Sequence, residues 1–65
     1  MIKCYETVSC YYKVDFSNRK YDVIYKFNMD IYTDCILPAE CDMDFFTKDF
    51  YKEITEKQYN YMLEI

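Results

Sequence analysis

Residues 11–25, YYKVDFSNRKYDVIY, alternate apolar and polar side chains on both sides of a short polar segment that contains no glycine. The alternation continues outward in both directions. Even positions are mostly apolar from Ile2 to Phe16, and odd positions are apolar from Tyr21 to Ile31. A period of two is typical of a strand with one buried face. The pattern therefore predicts an antiparallel hairpin with strands at about 2–16 and 21–32, joined by SNRK at 17–20.

The length of the connecting loop sets the register of this hairpin. A four-residue loop gives one apolar face, on which the pairs are Phe16 with Tyr21, Val14 with Val23, and Tyr12 with Tyr25. The same register places Asp15 opposite Asp22, which is an unfavourable like-charge pair. The opposite face is polar apart from an amphipathic stripe, which consists of Tyr5, Tyr11, Ile24 and Tyr32.

The chain is rich in aromatic residues for its length, with nine tyrosines and five phenylalanines among 65 residues. A chain of this size buries only about 60% of the surface that it exposes when unfolded. Each buried aromatic ring removes roughly 150 to 250 Å² from water, so the rings can supply the apolar burial that a short chain lacks. We therefore expect one domain, residues 1–65, with about half of the rings in its core.

The residue types that are missing narrow the range of functions. The chain has no Gly and no His, so it lacks both a glycine-rich phosphate loop and the most common general base and metal ligand. No cysteine has a histidine partner that could activate it. We expect a non-enzymatic protein without a cofactor. The first ten residues, MIKCYETVSC, lack the apolar block of a signal peptide, and no run is long enough to span a membrane. We therefore expect a cytoplasmic protein, in the host cytoplasm if a phage encodes it.

The four cysteines, Cys4, Cys10, Cys35 and Cys41, are expected to be free thiols in a reducing compartment. On one continuous strand Cys4 and Cys10 would lie roughly 20 Å apart, too far to share a metal ion. The predicted register makes Cys4 and Cys35 diagonal neighbours. A disulfide between them is the alternative in an oxidising compartment.

The C-terminal part of the chain favours helix. Residues 33–42, TDCILPAECD, contain the only proline and are predicted to be a connection, with Asp42 as the N-terminal cap of the next element. Beyond it, an apolar stripe at helical spacing consists of Met43, Phe46, Phe50 and Ile54. Thr55 and Gln58 have the spacing of a capping box, with Ile54 and Tyr59 placed as a hydrophobic staple.

These signals predict an α+β fold in which the hairpin packs on one or two helices within about 43–64. Either one long helix covers this range, or the helix breaks and a second begins at Thr55. A strand at about 49–54 before that second helix is a further alternative.

The net charge of −4 is unevenly distributed along the chain. Residues 1–26 carry a charge of +2 and residues 27–65 a charge of −6. Between positions 30 and 49 a single basic residue, Lys48, accompanies six acids, which are Asp30, Asp34, Glu40, Asp42, Asp44 and Asp49. A surface of this sign repels phosphate backbones and attracts basic surfaces, so we expect no direct binding to nucleic acid. A solvated face that merely keeps the protein soluble would have the same composition.

In composition, the chain resembles the short acidic inhibitors that bacteriophages make against host defence nucleases, anti-CRISPR proteins among them, and acidic antitoxins. This resemblance implies a protein that binds and inhibits a larger, basic, nucleic-acid-handling partner, with carboxylates in the positions of phosphates. The predicted contact residues are the six acids for electrostatic steering, with three tyrosines as anchors, namely Tyr5, Tyr11 and Tyr32.

An alternative hypothesis is a self-associating structural or assembly subunit of a phage or bacterial complex. Long strands leave exposed edges unless something covers them. Pairing of two hairpins across an edge would hide the tyrosine-bearing face and give a symmetric homodimer.

Overall fold

The computed structural model describes all 65 residues, which form a five-stranded antiparallel sheet, a short 3-10 helix and a C-terminal α-helix. The elements are β1 (Ile2–Glu6), β2 (Cys10–Asp15), β3 (Lys20–Tyr25), β4 (Ile31–Ile36), the 3-10 helix (Met43–Thr47), β5 (Lys52–Ile54) and α1 (Glu56–Leu63). The strand order is β4-β3-β2-β1-β5. The predicted α+β class is confirmed, but the sheet contains more strands than one hairpin.

The predicted strand 2–16 is two strands, because the chain reverses at Thr7. The Thr7 hydroxyl accepts hydrogen bonds from the backbone N–H groups of Ser9 and Cys10, at 3.3 and 3.0 Å. Such a side-chain bond to the following backbone stabilises a turn. The reversal also changes which residues share a face, since Tyr5 now lies opposite Tyr12.

The register between β2 and β3 differs from the prediction by two residues. Asp15 pairs with Lys20 and Lys13 pairs with Asp22, so opposite charges replace the like-charge pair of the predicted register. The Asp15 carboxylate also accepts the backbone N–H groups of Ser17 and Asn18, which begins the turn one residue early. A shift of two leaves every side chain on its predicted face. Tyr12 and Val23 therefore remain on one face.

The predicted strand 21–32 is likewise divided. After Tyr25 the chain turns, with the Asn28 side chain accepting the Asp30 N–H and Met29 in the left-handed region at φ 58°. Strand β4 then includes residues 33–36, which were predicted to be part of a connection. The sheet thus gains an edge strand that the alternation did not predict.

Both faces of the sheet are covered over its central strands. On one face lies the aromatic core, which consists of Tyr5, Val14, Leu37 and Phe46 with half-buried Tyr12, Phe16, Tyr21, Cys41, Phe45 and Tyr51 around them. On the other lies the helix core, which consists of Cys4, Ile24 and Tyr59 with Tyr11, Ile54 and Met62. Residues 37–51, hereafter the covering segment, close the aromatic core, and α1 closes the helix core.

The predicted helix over 43–54 is wrong. Only Met43–Thr47 is helical, as a 3-10 helix that Asp42 caps by accepting the Phe45 N–H at 3.3 Å. Strand β5 comes next and pairs with β1, so the predicted alternative of a strand near 49–54 is the closer description. The helical spacing reflects aromatic packing instead. The Phe46 ring stacks on Tyr5 with a centroid distance of 4.6 Å, and the Tyr51 ring lies 4.9 Å from Phe46.

The helix predicted to begin at Thr55 is confirmed, together with its capping box. The Thr55 hydroxyl accepts the Gln58 N–H at 3.0 Å, and the Gln58 side chain accepts the Thr55 N–H at 2.8 Å. Ile54 and Tyr59, the predicted staple, both belong to the helix core.

All four cysteines are free thiols. The predicted closeness of Cys4 and Cys35 is wrong, because they lie on β1 and β4 with β2 and β3 between them. The error follows from the undivided strands of the predicted hairpin.

We expect Thr55→Ala to lower the free energy of unfolding by about 1 kcal/mol, because the helix loses its N-cap hydroxyl. Urea denaturation measures the change. Thr55→Ser, which keeps the hydroxyl, is the matched control and should stay close to the wild-type value. Equal losses in the two variants would contradict a role for the cap.

Candidate functional site

The six predicted acidic residues lie in two places. Asp30 and Asp34 lie just before and within the edge strand β4, while the other four, Glu40, Asp42, Asp44 and Asp49, belong to the covering segment. All six are exposed. The structure therefore distributes them between one sheet edge and the cover of the aromatic face.

None of these six carboxylates forms an ion pair. The three ion pairs of the protein join other acids to lysines, namely Lys3 with Glu53, Lys13 with Glu56, and Lys26 with Glu6. Among the six, only Asp42 uses its carboxylate in a hydrogen bond, as the 3-10 cap. Acids of β1, β5 and α1 are thus neutralised by lysines, whereas the six acids of β4 and the covering segment are not.

Nearby cations form no ion pair with these carboxylates, although Lys3 lines a cavity with Asp44 and Lys20 lines another with Asp34. No Lys or Arg occurs from Phe27 to Thr47. Arg19 reaches the covering segment, but its guanidinium donates to the backbone carbonyls of Pro38 at 2.7 Å and Cys41 at 3.4 Å. Lys48 lies over the Phe45 ring, 4.3 Å from its centroid. Both cations bind the segment internally and leave its carboxylates unpaired.

The covering segment is held firmly against the sheet. Besides the stack of Phe46 on Tyr5, the backbone N–H of Leu37 donates to the carbonyl of Arg19 at 3.0 Å. The Arg19 side chain and backbone thus hold both ends of residues 37–41. The carboxylates of this segment consequently project from a backbone with fixed contacts.

The structure changes the set of predicted tyrosine anchors. Tyr5 is only 4% exposed in the aromatic core, so its prediction as a partner contact is wrong. Tyr11 is half-buried against the helix core beneath Lys26, whose Nζ lies 4.7 Å from the ring centroid. Helix α1 explains why this face carries aromatic residues. Tyr32 is 53% exposed and remains available.

The pattern of the sequence did not predict the exposed apolar surface at one end of the sheet. Phe27 is fully exposed in the β3–β4 turn, and Val8 is 93% exposed in the β1–β2 turn. A backbone hydrogen bond from Lys26 to Ser9, at 2.9 Å, holds the two turns side by side. Tyr25 and Tyr32 lie close by, with ring centroids 5.7 Å apart. The signal in the sequence was Asn28, a turn-forming residue inside the supposed strand.

Burial shifts the pKa values of several titratable groups. Burial, aided by the charge of Glu56, raises the pKa of the Cys4 thiol to about 11, which disfavours a reactive thiolate. Burial likewise raises the pKa of Cys41. No group of three or more Cys, Asp and Glu side chains could hold a metal ion. A cavity of about 400 Å³ lies on the side of β2 and β3 that faces the helix core. It is lined mainly by charged and polar residues.

Comparisons with protein-family models, with curated proteins and with solved structures gave no match. No helix of the protein combines the length and apolar character needed to cross a bilayer.

We expect the free energy of unfolding to fall between about pH 9 and about pH 11. The Cys4 thiol has an ordinary pKa of 9.0 when unfolded and about 11 when folded. The unfolded state therefore binds fewer protons in this range, which makes the stability decrease as the pH rises. Burial shifts the pKa in the same direction for several phenols, namely Tyr5, Tyr12, Tyr21, Tyr51 and Tyr59.

Urea denaturation across this pH range tests the expectation. Cys4→Ala should show a shallower loss than the wild type, because one of the contributing groups is gone. Stability that stays constant or rises up to pH 11 would contradict the burial of these groups.

Proposed function

We propose that the protein is a non-enzymatic binding protein that inhibits a larger basic protein which handles nucleic acid. One observation carries the proposal: six exposed carboxylates without ion pairs occur within twenty residues of sequence that contain a single cation. Such a concentration of charge raises the rate of encounter with a surface of opposite sign. In cells, many basic surfaces of this kind bind DNA or RNA.

The rigidity of the covering segment supports inhibition by mimicry. The stack of Phe46 on Tyr5 and the hydrogen bonds from Arg19 hold the backbone on either side of Glu40 and Asp44. Carboxylates on an ordered backbone lose less conformational entropy on binding than carboxylates on a flexible chain. We propose that they contact the Lys and Arg side chains that otherwise bind phosphates. Tyr32, on the same face of the sheet, would add an apolar contact.

In this proposal the protein acts as a nucleic-acid mimic of the phage anti-defence or anti-CRISPR-like kind, in the cytoplasm of a bacterial host. The support is the sign and the exposure of the charges. The proposal defines the partner by its chemistry alone, as a protein with a basic groove that binds a polyanion.

We expect the triple variant Glu40→Lys, Asp44→Lys, Asp49→Lys to lose the partner. These three carboxylates make no hydrogen bond or ion pair, so the fold should be retained. The matched control replaces Glu53, Glu56 and Glu64 with lysine, which gives the same net charge as the triple variant. The control loses two exposed ion pairs, each worth about 0 to 1 kcal/mol.

The test uses immobilised wild type, the triple variant and the control in lysates of nuclease-bearing bacteria. Binding is measured at about 0.1 M and about 1 M salt, where the screening length falls from about 10 Å to about 3 Å. The wild type and the control should retain a DNA- or RNA-binding protein that the higher salt releases. The triple variant should not. Added wild-type protein should then block nucleic-acid binding by the purified partner.

Two outcomes would refute the proposal. In the first, all three forms retain the same proteins at both salt concentrations. In the second, the retained partner binds its nucleic acid equally well in the presence of excess wild-type protein.

The second candidate function is self-association as a structural or assembly subunit, and the exposed apolar end of the sheet favours it. Phe27 and Val8 are almost completely exposed, and Tyr25 and Tyr32 extend the same apolar surface. Monomeric proteins rarely leave such residues clustered at their surface. A second copy that packs end to end would remove them from water.

We expect Phe27→Ser to convert a dimer into a monomer if this candidate is right, because the turn would lose its largest exposed apolar side chain. Sedimentation equilibrium gives the oligomeric state. Phe50→Ser, at an exposed phenylalanine of the covering segment, is the control and should leave a dimer intact. A wild-type protein that is monomeric at high concentration would exclude this candidate.

A further inference from the structure

The sheet has one long free edge, at β4. The opposite edge strand, β5, has three residues, whereas β4 has six and pairs only with β3. Five of the six β4 residues are exposed, including Ile31, Tyr32 and Ile36. Neither proline nor lysine, which commonly protect exposed edges, occurs in this strand.

The backbone of β4 has peptide groups available for pairing. The carbonyl of Asp30 accepts the Tyr25 N–H, and the N–H of Leu37 donates to Arg19, so these two residues face β3. Peptide groups alternate in direction along an antiparallel strand. Ile31 and Ile36, which are the next residue after Asp30 and the one before Leu37, therefore direct their N–H and C=O groups outward.

A bulge in β4 keeps the two isoleucines on one face. Ile31 lies opposite Ile24 and Ile36 lies opposite Lys20, with the register shifting between them. Asp34, in the shifted part, adopts a left-handed φ of 56°, and its N–H donates to the Asp22 carboxylate. The edge thus offers a pairing point on either side of the bulge, with apolar side chains on the helix-core face and Tyr32 on the aromatic face.

We propose that β4 accepts an extended segment of the basic partner by strand addition, and that this segment carries Lys or Arg beside apolar residues. The inference rests on the proposed function and adds the way in which the partner is held. Strand addition derives affinity from main-chain hydrogen bonds and specificity from alternate side chains. Here the alternate contacts are Ile31 and Ile36 on one face and Tyr32 on the other.

Charge selects this occupant over a second copy of the chain. Asp30 and Asp34 carry carboxylates without ion pairs at the edge, and Lys20 of the neighbouring strand, opposite Ile36, pairs with neither. A symmetric pair of β4 edges would bring Asp34, near the middle of the strand, close to its own copy, and like charges in neighbouring strands are unfavourable. A basic segment would instead place its cations beside these two carboxylates.

The test uses a library of random peptides of about ten residues, the length of a long strand, selected on the immobilised full-length protein. The probe variant is Ile31→Pro. Proline at the first residue of an edge strand removes the outward N–H and leaves the pairing with β3 in place. The matched control is Ile31→Val, which keeps the N–H and most of the side chain. Circular dichroism and thermal unfolding establish that both variants fold.

Three results would support strand addition by a basic segment. The selected peptides should be enriched in Lys and Arg. They should bind Ile31→Val like the wild type and bind Ile31→Pro about tenfold more weakly or worse, since an edge hydrogen bond and its geometry are lost. Amide exchange at Ile31 and Ile36 should slow when a peptide binds. If Ile31→Pro does not fold, this exchange measurement on the wild type decides alone.

Other results would overturn the inference: no enriched peptide, peptides without an excess of cations, equal binding to Ile31→Pro, or unchanged exchange at both amides. A wild-type dimer that Ile31→Pro converts to a monomer would assign the edge to a second copy instead. Failure here is separable from failure of the proposed function. A partner lost by the triple variant of the covering segment but kept by Ile31→Pro would leave the function standing and remove the edge from it.

Discussion

The stacking of Phe46 on Tyr5 is the contact on which most of the structure depends. The two rings are nearly parallel, with an interplanar angle of 11°, and further aromatic rings meet them edge-on, namely Phe16, Phe45 and Tyr51. Stacked and edge-on pairs each add about 0.5 to 1.5 kcal/mol beyond the area they bury. This cluster holds the covering segment on the sheet. It also brings the chain that follows the covering segment next to β1, so that β5 pairs with β1.

A short chain that builds a five-stranded sheet must cover two faces with few residues. The covering segment does so with large rings, and α1 does so with one buried tyrosine, Tyr59, aligned by the Thr55 capping box. The two covers differ in charge as well as in structure. Ion pairs such as Lys13 with Glu56 join helix α1 to the strands beneath it, whereas the acids of the covering segment form no ion pair.

Features set by local chemistry could be predicted from the sequence. The capping box at Thr55 and the cap at Asp42 depend on side chains within three residues, and both are present. The faces of β2 and β3 follow from a period of two, and a register error of two residues does not disturb them. The error itself arose because the four-residue loop was placed one residue too late, at 17–20 instead of 16–19. The pairs Asp15 with Lys20 and Lys13 with Asp22 identify the correct register.

Features set by distant contacts could not be predicted in this way. Strand β4 is exposed on both faces and therefore shows no alternation, and its pairing with β3 is a property of the edge backbone. The stripe of Met43, Phe46 and Phe50 has helical spacing, yet Phe46 is fixed by Tyr5, which lies about forty residues earlier in the chain. The acids of the candidate site, by contrast, could be found from composition, because their number along the chain does not depend on the fold. The burial of Tyr5 and the exposure of Phe27 required the fold.

The distribution of charge is the last feature that needs a cause. Solubility depends on the amount of charged surface and on net charge, and it does not require the two signs to be separated. In this protein the pairing differs by region: three acids of β1, β5 and α1 pair with lysines, whereas the six acids of β4 and the covering segment form no ion pair. Unpaired acids at this density cost some stability through mutual repulsion, and in the proposed function they would steer a basic partner. The one lysine among these acids, Lys48, lies over the Phe45 ring and forms no ion pair with any of them.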